Sequence, residues 1–319
     1  MISAVTRYLT VILCLAALGI HAAAASTGKP GPIRIVVWDE RQAAQKVAYD
    51  NFLGNEIAAF LRTAGQSKNG AGEEFTVKSV GLDDPDQGLS KETLDECDVL
   101  IWWGHQRHGD VKDELARDIV QRVQAGHLAL ISLHSAHFSK PFIEAMNART
   151  LQDARKSLRG AERNSVKIVV LPAERRLMAK TERLTPYMDR KKSPDGAETL
   201  EVKLPGCAFS DVRADGKPSH LRLLTKEHPL ASGLPDSFDI PQTEMYAGPF
   251  HVPHPDVTLF EETWDSGQSF ESGSLWSLGK GYVFYFRPGH ETFAIFKQPV
   301  PQRVVENAVR WLGARVKRQ

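Results

Sequence analysis

"IRIVVW" at 33–38, "DVLIWW" at 98–103 and "LALISL" at 128–133 decide the fold. Each run is nearly continuous in apolar residues, where a strand with one wet face would alternate, so each reads as a parallel strand covered on both sides. The segments between them carry a helical period. "NFLGNEIAAFLRTAG" places Phe52, Leu53, Ile57, Phe60 and Leu61 on one stripe and stops at Gly65. "DVKDELARDIVQRVQAG" repeats the pattern with Val111, Leu115, Ile119 and Val123 before Gly126. Strand, helix, strand in this alternation predicts βαβ units and a doubly wound, mainly parallel α/β sheet.

Outward from these strands, residues 1–25 read as a secretory signal peptide. One basic residue, Arg7, precedes an apolar run from about Leu9 to Ile20 and then an alanine tract, and the run is short for a bilayer span. The expectation is a periplasmic or secreted chain, 26–319, with no stable membrane insertion. About 290 residues suit one domain. With 40 Lys and Arg against 39 Asp and Glu, nothing marks nucleic acid or an anionic membrane as a partner. Cys14 falls in the leader, while Cys97 and Cys207 fit either one disulfide or two free thiols. From about 149 to 216 the chain turns basic, with acids and prolines interleaved, which predicts a solvated insertion with a few short strands. Regular texture returns in "GSLWSLGKGYVFYF" and in the helix "PQRVVENAVRWLG", with Pro301 in its first turn and Gly313 at its end.

Ligands of open parallel sheets bind where loops leave the carboxyl ends of strands. That rule collects Asp39 and Glu40, then His105 and His108, then His134, Ser135 and His137, and finally His290 and Glu291. Five of the eleven histidines fall in three short strand-exit loops. Their three-residue offsets suit a divalent transition metal, zinc first, held by His105, His134 and His137. His290 beside Glu291 reads as a base with an orienting carboxylate, after a Pro288-Gly289 turn that removes side-chain bulk. Glu244 in "QTEMYAGPF" is a further acid–base candidate, either a surface residue or a base against an apolar wall. Ser135 lacks the flanking glycines of a nucleophile elbow. No dinucleotide or P-loop fingerprint occurs, so nicotinamide and nucleoside triphosphate chemistry get no support.

The succession "VVWDE", "DVLIWWGHQRHGDV", "LHSAHFSKPF", "HPLASGLPDSFDIPQTEMYAGPF" and "GKGYVFYFRPGHETF", followed by "NAVRWL", resembles the ThuA-like trehalose-utilisation family, in order and over most of the chain. The resemblance implies a class I glutamine-amidotransferase-like, flavodoxin-like α/β fold and a link to trehalose and related sugars. Two departures stand out. Short members carry a Cys followed by "LKWRE" after the "HFSK" helix, where this chain has the basic insertion and then "CAFSDVR" from Cys207. The amidotransferase elbow carries a nucleophilic Cys, where this chain has "HSAH", while the late His and Glu survive as His290 and Glu291. Thiolate glutamine hydrolysis is therefore not expected.

The leading expectation is a carbohydrate-active isomerase, lyase or hydrolase using acid–base chemistry, with or without a metal, on a trehalose-like disaccharide or its keto derivative. In that picture His290 with Glu291 is the base, joined by Glu244 and Ser135. Trp103 and Tyr246 offer faces to a sugar ring, and Arg287, Asp39 and His108 bind its polar groups. The alternative is a non-catalytic sugar-binding protein that keeps the pocket, and a Ser or Cys hydrolase ranks last. The partner is a small sugar, and the oligomeric state stays open.

Overall fold

The structure, a computed structural model, describes residues 31–66 and 74–318. The signal-peptide expectation for 1–25 lies outside the described residues. From Pro32 onward the chain forms one compact unit. Strands β1 (Ile33–Asp39), β2 (Phe75–Gly81), β3 (Val99–Trp103) and β4 (Ala129–Leu133) alternate with helices α1 (Leu53–Ala64), α2 (Lys91–Asp95) and α3 (Asp113–Ala125). Helix α4 (Lys140–Ser157) and the single turn α5 (Glu162–Ser165) lead to β5 (Lys167–Leu171), β6 (Tyr187–Lys192) and β7 (Glu198–Lys203). There follow β8 (Asp211–Arg213), β9 (Ser219–Leu223), β10 (Ser237–Ile240), β11 (Met245–Ala247) and β12 (Val257–Thr263). The chain closes with β13 (Ser269–Leu278), β14 (Gly281–Phe286) and α6 (Pro299–Gly313).

Among the described residues the main sheet has nine strands in the order β10-β9-β12-β13-β14-β4-β3-β1-β2. From β2 to β14 the neighbours are parallel; from β14 to β10 they are antiparallel. The expected mainly parallel sheet is thus corrected to a mixed one. The reason lies between β13 and β14. Only Gly279 and Lys280 separate them, which makes a hairpin, whereas a parallel return needs a crossover of about a dozen residues or more. Gly279 has φ 60°, and a Cβ there would lie 2.3 Å from the Gln124 carbonyl oxygen, so the turn demands glycine.

Helices cover both faces of the parallel half. Leu53, Ile57 and Leu61 of α1 join Val304, Val305 and Leu312 of α6 against Val37, Ile101 and Trp103. On the other face Ile119 and Val123 of α3 and Phe142 and Met146 of α4 meet Val36, Leu100 and Trp102. Alternate residues of β3 therefore feed two cores, the physical origin of its unbroken apolar run. Helix α4 begins at Ser139, whose Oγ accepts the Phe142 N–H at 3.3 Å, with Pro141 in its first turn. It continues to Ser157, so residues 149–157 of the expected insertion are helix. The rest carries the small sheet β5-β7-β6 over a core of Leu158, Val166, Leu200 and Val202. Cys97 and Cys207 are free and buried, and burial pushes each thiol up to about 12. Among the described residues no helix is long and apolar enough to cross a membrane.

Candidate active site

Asp39, Trp103, Leu133 and Phe286 end β1, β3, β4 and β14 in one row of the register, so the loops after them open on one edge. At the first step beyond β4 the chain strains. His134 has φ 49°, a left-handed conformation costing roughly 1–3 kcal/mol that is kept only where the surroundings enforce it. Those surroundings are explicit. His134 Nδ1–H donates to the Arg287 carbonyl at 2.9 Å, and Nε2 meets Glu244 Oε2 at 2.9 Å and the Tyr246 hydroxyl at 3.2 Å. The ring stacks on Trp103 and Tyr246, with centroids 5.6 and 4.8 Å away. Because Nδ1 must carry a hydrogen for the carbonyl, the Nε2–Oε2 contact requires one more proton. Burial favours protonated Glu244, but the His134 hydrogen bond and neighbouring imidazoles outweigh it and hold the carboxyl down to about 2. Burial also lowers His134, to about 4, against the raising hydrogen bond and charge of Glu244; the bonding pattern places the shared proton between Nε2 and Oε2.

The adjacent pair His290-Glu291 is not the bonded pair. Glu291 Oε2 lies 2.8 Å from His105 Nδ1 and 3.7 Å from His290 Nδ1. His290 is turned to its own loop instead: its Nδ1 accepts the Thr292 N–H at 3.1 Å and meets the Thr292 hydroxyl at 2.8 Å. An accepting Nδ1 carries no hydrogen, so neutral His290 bears its proton on Nε2. Burial lowers the His290 pKa against the raising charges of Glu291 and Glu244. His105 goes the other way: burial opposes its charge, but the hydrogen bond and charge of Glu291 raise its pKa. Burial would raise Glu291, yet the bond from His105 lowers it. The His105 and His290 rings lie 6.1 Å apart, pushed in opposite directions. Such a divergence marks acid and base assignments.

Glu40 builds the loop that carries His105. Its buried carboxylate accepts the N–H groups of Gln106 and Arg107 at 2.9 and 3.0 Å and the Gln42 amide. Gly289 explains the Pro-Gly turn, because a Cβ there would lie 2.3 Å from that of His134 and 3.0 Å from the Trp103 ring.

Several expected ligand contacts lie behind the cluster. Trp103 and Tyr246 are 0% and 3% exposed, and Tyr246 also stacks on Phe209 at 4.0 Å. Neither has a face left for a sugar ring, which corrects that expectation. Arg287, 0% exposed, pairs with Glu262 and donates to the Glu244 carbonyl; it fastens β14 to β12 and the Glu244 segment, and does not reach a ligand. Asp39 accepts from the Arg41 and Gly54 N–H groups and the Gln45 amide at 2.7–2.8 Å, so its oxygens are committed to starting α1. Ser135 Oγ lies 3.1 Å from the Tyr246 hydroxyl, extending a hydrogen-bonded chain through His134 to Glu244. His108 is half-buried, its Nε2 has no hydrogen-bond partner among the described residues, and burial lowers it to about 4. His137 donates from Nδ1 to the Cys207 carbonyl at 2.6 Å and packs on Phe138 and Phe209, burial lowering it to about 3. Both ring nitrogens of His134 are engaged within the protein. Among the described residues no three or more His, Cys, Asp or Glu are grouped as metal ligands.

Fold and site together define an α/β protein with an imidazole–carboxylate cluster at the strand exits of a mixed sheet. The family model for ThuA, trehalose utilisation, matches residues 34–312, and the chain belongs to that family, one associated broadly with carbohydrate use. No match is found among curated proteins. Among solved structures, a ThuA-like protein of Bacteroides uniformis is similar over 92% of this chain and 97% of its own, at 15% identity and TM-score 0.54. One of Parabacteroides merdae is similar over 90% and 92%, at 15% identity and TM-score 0.52. These likenesses show the fold.

Proposed function

We propose that the protein is an exported carbohydrate-utilisation enzyme that moves a proton at a carbon next to the carbonyl of a keto derivative of a trehalose-like disaccharide. His105, oriented by Glu291, takes the proton. The C–H electron pair passes into the enolate, and the His290 Nε2–H donates to the oxygen on which negative charge develops. The hydrogen-bonded His134–Glu244 pair lies beside His290, its ring 6.2 Å from that of His290, and adds a polar group to the site. Return of the proton to the same or a neighbouring carbon completes an isomerisation, and loss of a neighbouring substituent completes an elimination.

The observation that carries this reading is the 2.8 Å His105–Glu291 contact, which makes one imidazole a better base beside a second imidazole kept neutral. The covered rings of Trp103 and Tyr246 weigh against the alternative, a protein that merely binds sugars by stacking. The test is turnover of keto-disaccharide and plain trehalose by the mature protein. Only the keto sugar should react, and equal turnover of trehalose would overturn the proposal.

A further inference from the structure

The antiparallel wing holds a groove of about 730 Å³, within the roughly 300–1,000 Å³ of small-molecule sites. Its floor is a solvent-facing row across three strands: Arg222 of β9, Glu261 of β12 and Glu271 of β13 stand opposite one another in the register. An antiparallel sheet can leave one face to water, but this row is costly as it stands. Two glutamates face each other directly, which disfavours the pairing. Arg222 bonds Glu261 at 2.6 Å, and Glu271 has no ionic partner among the described residues. Pro249, Phe250 and Pro255 form a wall. Leu184 and Leu224, 50% and 42% exposed, line the same groove. Ser274 borders it too, 1% exposed, its hydroxyl covered and without a hydrogen-bond partner among the described residues.

We infer that this groove is a second carbohydrate site, taking a neutral di- or trisaccharide. A sugar has a rim of hydroxyl groups and an apolar face of C–H groups. The carboxylates of Glu261 and Glu271 accept from hydroxyls, and Phe250 and Pro249, with the exposed Leu184 and Leu224, meet the apolar face. Two carboxylates against one guanidinium leave the floor negative, which favours neutral sugars over uronic acids. The wall is continuous in sequence with β11 and Glu244, so a ligand here bears on the segment that holds the Glu244–His134 pair. The inference draws on the family's link to carbohydrate and stands apart from the acid–base proposal.

The test is NMR titration of the mature protein with maltotriose and with a glucuronate-containing disaccharide, on wild type, Glu271→Gln and His290→Ala. Maltotriose should shift amides at Gly248, Phe250 and Ser269 to Ser274. Glu271→Gln, an exposed change that spares the core, should raise Kd about tenfold, near the loss of one charge-assisted hydrogen bond. His290→Ala should leave this binding intact. Absence of those shifts, equal affinity for the uronate, or binding lost in His290→Ala and kept in Glu271→Gln would each overturn the second site. The last outcome would leave the acid–base proposal standing.

Discussion

Glu291→Gln separates the structural account from the sequence reading of the same residues. The substitution keeps shape and one acceptor but removes the charge that His105 Nδ1 meets at 2.8 Å. A hydrogen bond to a charged group contributes about 1.5–3 kcal/mol, and each 1.36 kcal/mol is tenfold in rate. The His105 side chain is 29% exposed, so solvent screening places the loss in kcat/KM nearer tenfold than a hundredfold. The direction of the titration is sharper than the rate. Glu291 holds the His105 pKa above 6.5, so the variant should lower it, and the alkaline rise in kcat/KM that reports neutral His105 should move to lower pH. Stability follows with a definite sign. The His105 contribution is fully present below pH 6.5 and lost as pH climbs through its raised folded value; that of Glu291 is fully present above 4.5 and lost as pH falls through its lowered one. The stability gap between wild type and variant should therefore be widest between pH 4.5 and 6.5. Imidazole NMR titration is the assay. If Glu291→Gln moved the His290 midpoint and left His105 still, the pairing argued here would be wrong.

Gly289→Ala should lower stability by about 1–3 kcal/mol, since its new carbon meets His134 and the Trp103 ring; an unchanged Tm would show that the strand exits are looser than described. Arg287→Met should cost about 3–5 kcal/mol by leaving buried Glu262 unpaired, and Arg287→Met with Glu262→Leu should recover most of it. A single variant with unchanged Tm and raised KM would restore Arg287 as a ligand contact.

Strands β1, β3 and β4 were legible because they are largely buried on both faces and the helices between them keep a 3.6-residue stripe; the partly exposed edge strand β2 and the short outer strands β9 and β10, of five and four residues, were not. The strand-exit rule brought His105, His134 and His290 to one edge, where the His290 ring lies about 6 Å from each of the other two. The pairing within that edge was not legible. Nothing in the spacing tells that Glu291 passes over its neighbour to reach a histidine 186 positions away, or that Thr292 occupies His290 Nδ1. Asp39, Trp103, Tyr246 and Arg287 have ligand-binding chemistry, but burial and bonding partners, which a linear sequence does not display, direct them to the scaffold. Glu40 carried a signal, as an acid just past a nearly all-apolar strand, but its role in holding the His105 loop needed the backbone.

The most direct measurement of the central claim is hydrogen–deuterium exchange at the carbon beside the carbonyl of a keto-disaccharide, followed by NMR in D₂O. Wild-type protein should exchange that hydrogen, and His105→Asn should slow the exchange by about a hundredfold or more, the usual contribution of a general base. No exchange by wild type, or equal exchange by His105→Asn, would contradict the account.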